Sequence, residues 1–468
     1  MILSLFLLSM CVSTAAASPH RIHSVSDISQ EFTFYMDGRF ARQYLRQSDR
    51  DVRNWGSLGN LDLSNANLLI LTGGNPRVPY TKAAGERIVN FLNDGGGVLI
   101  MADGSDPMPP ATSILTNFGA TLKTTRASKP LKGLNAIGEH DITYRRGTTL
   151  QLSPDWTPLI VDAAAQPVLA QRSVGKGTLL LGSRGLFGQK PDASDPINAD
   201  WIQPLLNQAC AAKTIDPSKP HRRTWAEHAQ QSGPLIVEYH DGTQPMAAAI
   251  VDVYEDVRPH LREITGVEPA PGMLKRLLVL PTGGGGFSSG ARIAIGAWWG
   301  GFPENRYPMV ELIAHEATHS WVLPHPEPVW NEPIATYLGM LTGRRMQMPE
   351  ASQRMQAQID KARALDPDLT AIDPMAADAP RHLIWGKTYF IFEQLEAKHG
   401  PGVMAKYFQT KRAHVPAARP NYTMHDCVAI WSRATGEDLF PWFQSYGFAV
   451  DAEQTDLYPT STAGNTNK

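Results

Sequence analysis

The stretch 311-ELIAHEATHSW-321 contains two histidines four residues apart, with a glutamate directly after the first. On an α-helix, residues i and i+4 lie on the same face, with Cβ atoms about 5–6 Å apart. His315 and His319 can therefore share one metal ion, with each imidazole nitrogen about 2.0–2.1 Å from a zinc ion. Glu316 lies one position further round the helix, close to such a metal. The stretch predicts a metal site with a carboxylate beside it.

The flanking residues predict that this stretch is helical. Pro308 suits the first turn of a helix, and the next helix-breaking residue is Pro324. The apolar residues between them share one face of the helix, namely Val310, Ile313, Ala314 and Ala317. The pattern is HExxH, in which the glutamate of a zinc metalloprotease is the general base. The alternative is an ordinary helix with two hydrogen-bonded histidines and a solvated glutamate.

A third ligand decides between these interpretations, because catalytic zinc usually has three protein ligands and one open position. No histidine follows His319 at the spacing of the metzincin motif. The segment 329-VWNEPIATYLG-339 instead predicts a second short helix, with Glu332 near its start. We therefore expect one Zn²⁺ per chain, bound by His315, His319 and Glu332.

The phrase W-N-E-P-I-A-T-Y-L resembles the NEG-A-Y segment of gluzincin aminopeptidases. The interval from the HExxH motif is shorter than theirs and is similar to that of the enhancin and mucin-degrading peptidases, with which the segment 436-GEDLFPWFQSYGFAVD-451 also agrees. The resemblance covers residues 233–455. It implies a zincin-type domain and a zinc metallopeptidase that acts on peptide or glycoprotein substrates, with Glu316 as the general base.

The resemblance leaves the group that stabilises the tetrahedral oxyanion open. Gluzincin aminopeptidases place a tyrosine at the start of a helix with the pattern Y-x-K-G. The similar segment here, 385-WGKTYFIFEQLEAKHG-400, has Trp385 where that tyrosine would fall and Tyr389 one turn later. We expect Tyr389 as the catalytic donor and His382 as the second choice. A packing role in the core is an equally open interpretation of Tyr389.

Other residues near the motif are expected to contact substrate or ligands. Asn331 lies next to Glu332 and could orient a ligand, whereas His325 and Glu327 are expected at the rim of the site. The segment 291-ARIAIGAWWG-300 predicts a strand, and the resemblance to zincins implies that it is an edge strand that pairs with extended substrate. Glycines 283–286 predict a closing loop or a plain turn. Four tryptophans could stack on sugar rings or belong to the core, namely Trp298, Trp299, Trp321 and Trp330.

The N-terminal half predicts a separate α/β domain. The segment 67-NLLILTGG-74 indicates a buried strand, 81-TKAAGERIVNFLNDGGG-97 a helix, and 98-VLIM-101 a second strand parallel to the first. A hairpin is expected around Gly175-Lys176-Gly177. The layout, expected over 18–212, is flavodoxin-like with three layers and resembles the class I glutamine-amidotransferase-like fold. No cysteine occurs between residues 12 and 209, and Met101-Ala102-Asp103-Gly104 stands where the nucleophile would be, so the resemblance implies a non-catalytic module.

The remaining features suggest export. The apolar run MILSLFLLSMCV and the small residues Ala15–Ala17 predict a signal peptide over 1–17, although no Lys or Arg precedes the run, and a buried N-terminal strand is the alternative. We therefore expect a secreted or periplasmic protein. A linker is expected over 213–232 and the metallopeptidase domain over 233–468.

A net charge of −2 gives no reason to expect that the protein binds nucleic acid, and no transmembrane segment is expected. Three cysteines provide no disulfide framework, and the oligomeric state is open.

Two other functions remain open on these residues. One is a non-catalytic surface or carbohydrate-binding protein on a zincin scaffold, against which the intact Glu316 argues. The other is a zinc amidase that acts on cell-wall peptides, which would use the same site.

Overall fold

The chain folds into two compact units, Met1–Thr224 and Trp225–Lys468, and both contain helices and β-sheets. The expected signal peptide lies outside the residues that the structure describes. Among the helices in the described ranges, none combines the length and apolar character that a membrane span requires. The computed structural model describes residues 22–27, 44, 51–56, 58–59, 61–71, 80–102, 112–135, 137–144, 147–187, 197–216, 218–219, 226–240, 242–280 and 284–458.

The first unit is built on an eight-stranded sheet. Its described helices are α1 (Lys82–Asn93), α2 (Thr112–Leu115) and α3 (Ala199–Cys210). Its described strands are β1 (His23–Asp27), β2 (Asp51–Gly56), β3 (Leu68–Leu71), β4 (Gly97–Met101), β5 (Ala120–Arg126), β6 (Lys132–Gly133), β7 (Thr148–Leu152), β8 (Thr157–Val161), β9 (Pro167–Val174) and β10 (Gly177–Gly182). The order in the sheet is β2-β1-β3-β4-β10-β9-β8-β6, with the first five strands parallel. β5 and β7 form a separate antiparallel pair.

Helices pack on both faces of this sheet because its central strands are apolar on both sides. α1 begins at Thr81, whose hydroxyl accepts a hydrogen bond of 3.1 Å from the amide of Ala84. Ile88 of α1 and Leu69 of β3 belong to one buried cluster. Leu68 points to the opposite face, as alternation along a strand requires, and belongs to the cluster that α3 covers. Each such buried leucine contributes about 1.5–3 kcal/mol to stability.

Two local predictions for this unit are confirmed. β3 and β4 are parallel with α1 between them, and β9 and β10 form an antiparallel hairpin. Gly175 in the hairpin turn has a φ of +58°, which glycine adopts readily. At the position compared with an amidotransferase nucleophile, Met101 and Ala102 are buried, whereas Asp103 and Gly104 lie outside the described residues.

The second unit combines a five-stranded sheet with a larger set of helices. The sheet order is β11-β12-β13-β15-β14. The strands are β11 (His228–Ser232), β12 (Leu235–Tyr239), β13 (Arg276–Leu280), β14 (Gly286–Ser288) and β15 (Arg292–Gly296). The helices are α4 (Gln244–Thr265), α5 (Tyr307–Trp321), α6 (Asn331–Arg345), α7 (Pro349–Arg363), α8 (Arg381–His399), α9 (Val403–His414), α10 (Met424–Thr435) and α11 (Phe440–Ser445).

The start of this unit differs from the expectation at one place. Residues 228–232, which fall in the expected linker, form β11 and pair antiparallel with β12. The helix α4 contains Pro259 and continues to Thr265. It ends at Gly266, which has a φ of +64° and whose amide donates a hydrogen bond of 2.8 Å to the carbonyl of Arg262.

The edge of the sheet also differs from the expectation. β15, which was expected at the edge, pairs with β13 on one side and with β14 on the other. The glycine-rich segment folds back as β14, and this strand ends the sheet. The return is tight, because a Cβ on Gly296 would collide with the carbonyl oxygen of Gly284. Gly286 begins β14, whereas Gly284 and Gly285 precede the strand and Gly283 lies outside the described residues, so the closing loop or plain turn stays a prediction.

Candidate metal centre

The predicted HExxH helix is confirmed as α5, which starts with Pro308 in its first turn and ends at Trp321. The second predicted helix is α6, and Glu332 lies in its first turn. α6 packs against α5 through residues spaced i, i+4, i+7 and i+11, which share one helix face. These residues are Glu332, Thr336, Gly339 and Gly343. The facing residues of α5 are Tyr307, Glu311, His315 and His319.

Two glycines bring the helices together. A Cβ on Gly339 would lie 2.7 Å from the backbone oxygen of Glu311, closer than real Cβ contacts allow. A Cβ on Gly343 would lie 2.8 Å from the ring of Tyr307. The absence of side chains at these positions therefore sets the separation of the helices. Further along the same face, this separation brings Glu332 to the two histidines.

The three expected ligands converge. The Nε2 atoms of His315 and His319 are 3.2 Å apart. Each lies 3.4 Å from one carboxylate oxygen of Glu332. A tetrahedral zinc ion with ligand bonds of about 2.0–2.1 Å keeps its ligand atoms about 3.3 Å apart. The three donors therefore have the chemical type and the mutual spacing of a zinc site.

Thr336 orients the first histidine. Its hydroxyl donates to the backbone oxygen of Glu332 at 3.0 Å, so it can accept from Nδ1 of His315, which lies 3.1 Å away. With the proton on Nδ1, the lone pair of Nε2 points at the other two ligands. Asn331 forms a side-chain hydrogen bond to His319. Its orienting role stays a prediction.

The carboxylates around the histidines differ in their electrostatics. Burial, together with the smaller effect of the negative charge of Glu332, raises the pKa of Glu316 to about 7. The hydrogen bond with His315 lowers the pKa of Glu332. Burial also lowers the pKa of His319 to about 4, which keeps this imidazole neutral, as a metal ligand must be. Glu332 thus suits an anionic ligand, and Glu316 suits a group that exchanges a proton near neutral pH.

Glu316 lies between the histidines and the terminal strand of the sheet. Candidate ligand atoms of Glu316, His315 and His319 lie within 4.8 Å of one another. Glu332 is closer to the two histidines, at 3.4 Å from each, so Glu316 lies near the three expected ligands without being one of them. A Cβ on Gly286 would lie 3.0 Å from Oε1 of Glu316. β14 therefore passes directly beside the buried carboxylate, at a distance that glycine permits.

The structure does not bring Tyr389 to the open side of the centre. Its side chain is fully buried in α8, and its ring lies 6.0 Å from that of Tyr337. Its hydroxyl is near Thr336, which is on the Nδ1 side of His315, and burial raises its pKa. The structure thus favours the packing role that the sequence left open. His382, the second choice, is exposed in the first turn of α8.

The expectation that His325 and Glu327 line the rim is not met, because both side chains are buried. Glu327 forms an ion pair with Lys411 of α9 and accepts a hydrogen bond of 2.6 Å from the Tyr407 hydroxyl. Lys411 also donates to the backbone oxygen of His325 at 2.7 Å. The loop between the two ligand helices is therefore anchored to α9. The proline-rich sequence suggested an exposed loop. The helix that covers it, α9, lies about 80 residues further along the chain, so the local sequence gives no sign of this cover.

The four tryptophans divide into two pairs. Trp321 and Trp330 are 1% and 0% exposed and belong to the core, which excludes contact with a sugar ring. Trp298 and Trp299 are partly exposed, so the stacking role remains a prediction for these two.

No protein-family model matches the chain, and no curated protein matches it. Among solved structures, an M1 zinc metallopeptidase from Deinococcus radiodurans, bound to a Tyr-Ser-Ala substrate, is 14% identical, covers 47% of this chain and 50% of its own, and has a TM-score of 0.32. Aminopeptidase A from Legionella pneumophila, in complex with aspartic acid, is 14% identical over 47% of this chain and 27% of its own, with a TM-score of 0.33. The mmIFT52 N-terminal domain is 17% identical over 42% of this chain and 99% of its own, with a TM-score of 0.32.

These likenesses are too distant to assign a function. This chain spans half of the first peptidase and about a quarter of the second. The chemistry of the centre is therefore argued from its own geometry.

Gly339→Ala should separate α5 from α6. The added methyl meets backbone, so we expect the free energy of unfolding to fall by about 1–3 kcal/mol, despite alanine's higher helix propensity. Zinc affinity should fall about tenfold, because Glu332 moves with its helix. Thermal unfolding and zinc titration measure both effects. Gly402→Ala is the matched control, since nothing lies within 4 Å of its added Cβ. Unchanged zinc affinity in Gly339→Ala would contradict the close-approach argument.

Glu327→Gln should destabilise the protein strongly, because it leaves Lys411 charged and unpaired in the core. We expect a loss of about 3–5 kcal/mol in the free energy of unfolding, measured by urea denaturation. A Glu327→Met/Lys411→Met double variant should lose less than the single variant, because no buried charge remains. Asp256→Asn breaks the exposed pair with Arg306 and should cost less than about 1 kcal/mol. Equal effects of Glu327→Gln and Asp256→Asn would show that the buried pair does not anchor the loop.

Proposed function

We propose that this chain is a zinc-dependent metallopeptidase that hydrolyses peptide bonds. His315, His319 and Glu332 bind one Zn²⁺, and Glu316 is the general base. One observation carries the proposal: two imidazoles and a carboxylate have donor atoms 3.2–3.4 Å from one another, and a second, buried carboxylate, Glu316, lies beside them. Structural zinc sites use all four positions for protein ligands, whereas three ligands and a nearby base are typical of a catalytic site.

The residues around the metal have separate tasks. Bound zinc supplies Lewis-acid polarisation of the scissile carbonyl and makes water acidic enough to attack at neutral pH. Glu316 accepts the water proton on its carboxylate and later delivers it to the leaving amine. Burial raises the pKa of Glu316, which makes its carboxylate a stronger base towards the water proton. Glu332 stays anionic and Thr336 keeps the proton of His315 on Nδ1.

The neighbouring edge strand supports an extended substrate. β14 ends the sheet, and peptides commonly add to such edges through main-chain hydrogen bonds. Because Gly286 has no side chain, a paired peptide can approach Glu316 closely. We infer that substrate lies along β14, with its scissile bond between Glu316 and the metal ligands.

The proposed peptidase family, its substrate class and its location are based on the sequence. The motifs support a gluzincin of the kind found in enhancin and mucin-degrading peptidases, with glycoproteins among its substrates. The N-terminal apolar run supports a secreted or periplasmic location. For the first unit we propose a flavodoxin-like, amidotransferase-like module without a catalytic nucleophile, which agrees with helices on both faces of a mixed sheet whose first five strands are parallel.

The purified protein should hold one zinc ion per chain and lose activity when a chelator removes it. His315→Ala/His319→Ala should bind no stoichiometric zinc, because two of three ligands are gone. Metal analysis by mass spectrometry gives the stoichiometry, and cleavage of an unbiased peptide and glycopeptide library gives the activity before and after zinc is restored. Stoichiometric zinc in the double variant, or equal cleavage with and without metal, would overturn the proposal.

Glu316→Gln and Glu332→Gln should separate the base from the ligand. Glu316→Gln keeps the shape but not the basic carboxylate, so activity should fall by about 10³–10⁴-fold while zinc content stays near one. Glu332→Gln removes the anionic ligand, so zinc content and activity should fall together. Turnover and zinc content are measured on both variants. Zinc loss in Glu316→Gln, or turnover at the wild-type rate, contradicts the assigned roles.

A further inference from the structure

The first turn of α8 lies beside the metal centre because α6 and α8 run side by side in the same direction. The ring of Tyr337 in α6 lies 6.0 Å from Tyr389 and 5.1 Å from Phe392 in α8. Seven residues further along α6, Arg344 interacts electrostatically with Glu396, which lies seven residues beyond Tyr389 in α8. Tyr337 and Tyr389 lie side by side, so the residues one turn before them are also neighbours. These are the start of α6, with its ligand Glu332, and Trp385 in the first turn of α8.

This first turn carries a cation that is held in place. The guanidinium of Arg381 lies over the ring of Trp385, 4.7 Å from its centroid. Arg381 is exposed, and no carboxylate in the described part of the chain lies within ion-pair distance of it. The side chain of Glu332 is 55% exposed, so the centre is open at the level where Arg381 lies. Stacking on an aromatic ring limits the arginine's motion and leaves the edge of its planar fork free to donate hydrogen bonds.

We propose that Arg381, stacked on Trp385, forms a subsite that binds a carboxylate of the peptide substrate close to the scissile bond. The proposal rests on the proposed peptidase function and names the substrate class within it. A carboxylate fits because arginine binds it through two parallel hydrogen bonds. The N-terminal end of α8 adds a favourable dipole for an anion. The carboxylate is either a free C-terminus or the side chain of an acidic residue.

The charge distribution of the centre agrees with this role. An ionised Glu316 would repel a substrate carboxylate at short range, whereas the charge of Glu332 is offset by the zinc ion that it would bind. The positive charge of Arg381 acts on Glu332, where it contributes to a lowered pKa. A substrate carboxylate that paired with Arg381 would therefore be held on the cationic side of the opening, away from the general base. Trp385 stands where the resemblance expected a tyrosine, which gives this departure a function in substrate binding.

The test compares matched peptides on Arg381→Gln. A peptide that the wild type cleaves is made with a free or an amidated C-terminus, and with Glu or Gln at each position in turn. For the version whose carboxylate contacts Arg381, kcat/KM should fall by about 10- to 100-fold, mainly through KM. The version without that carboxylate should change less than about threefold. Arg381→Lys should recover part of the preference, because it keeps the charge and loses the fork.

The control is Arg363→Gln. Arg363, at the end of α7, is also exposed and lies 5.4 Å from the centroid of Phe390, a residue of α8 nine positions beyond Arg381. This variant should leave the preference unchanged. The acid and amide arms identify a C-terminal carboxylate, and the Glu and Gln arms identify a side chain. Equal loss on all peptides, or no loss on any, overturns the subsite.

Binding without turnover separates this inference from the peptidase proposal. In the Glu316→Gln background, fluorescence titration with the same acid/amide and Glu/Gln peptides should show tighter binding of one carboxylate version. Arg381→Gln should abolish the difference, while zinc content stays near one. Binding that ignores the carboxylate sinks the inference even if the wild type is an active peptidase. If the wild type cleaves nothing, the peptidase proposal fails and the titration still decides on Arg381.

Discussion

The close contact between two antiparallel helices is the constraint on which the metal centre depends. Gly339 and Gly343 let α6 approach the backbone and the Tyr307 ring of α5 at distances that exclude any side chain. Thr336 and Glu332 continue the same face, and they meet His315 and His319 in turn. Packing at one end of the helix pair therefore sets the ligand distances at the other. A packed interface responds to a shift as a unit, so a small error in packing becomes an error in coordination.

The loop between these helices is held by charge rather than by apolar packing alone. Glu327 and Lys411 are nearly fully buried and pair with each other, and Tyr407 donates to the same carboxylate. Such pairs add little net stability compared with apolar residues, but they specify one arrangement because a misplaced partner leaves a buried charge. This property suits a loop whose two ends carry metal ligands.

Part of this arrangement could be predicted from sequence. The HExxH helix and Glu332 follow from local spacing, since both are set by a few neighbouring residues. The edge strand and the buried state of Glu327 could not, because each depends on a partner that is distant in the chain or on a fold-back whose direction glycines do not specify. The sequence did contain a signal for the residues that face α5: Thr336, Gly339 and Gly343 follow Glu332 at i+4, i+7 and i+11, on one helix face. This pattern can be interpreted only when the facing helix is known. The role of Tyr389 stayed open, because a buried and a catalytic tyrosine look alike in one sequence.

The most direct measurement is zinc K-edge X-ray absorption on the purified chain. The account predicts a first shell of nitrogen and oxygen at about 2.0 Å, with the outer-shell scattering of two imidazoles and no sulfur. Glu332→Gln should change this spectrum, and Arg381→Gln should leave it unchanged. A sulfur ligand, a single imidazole, or a wild-type spectrum in Glu332→Gln would contradict a centre formed by His315, His319 and Glu332.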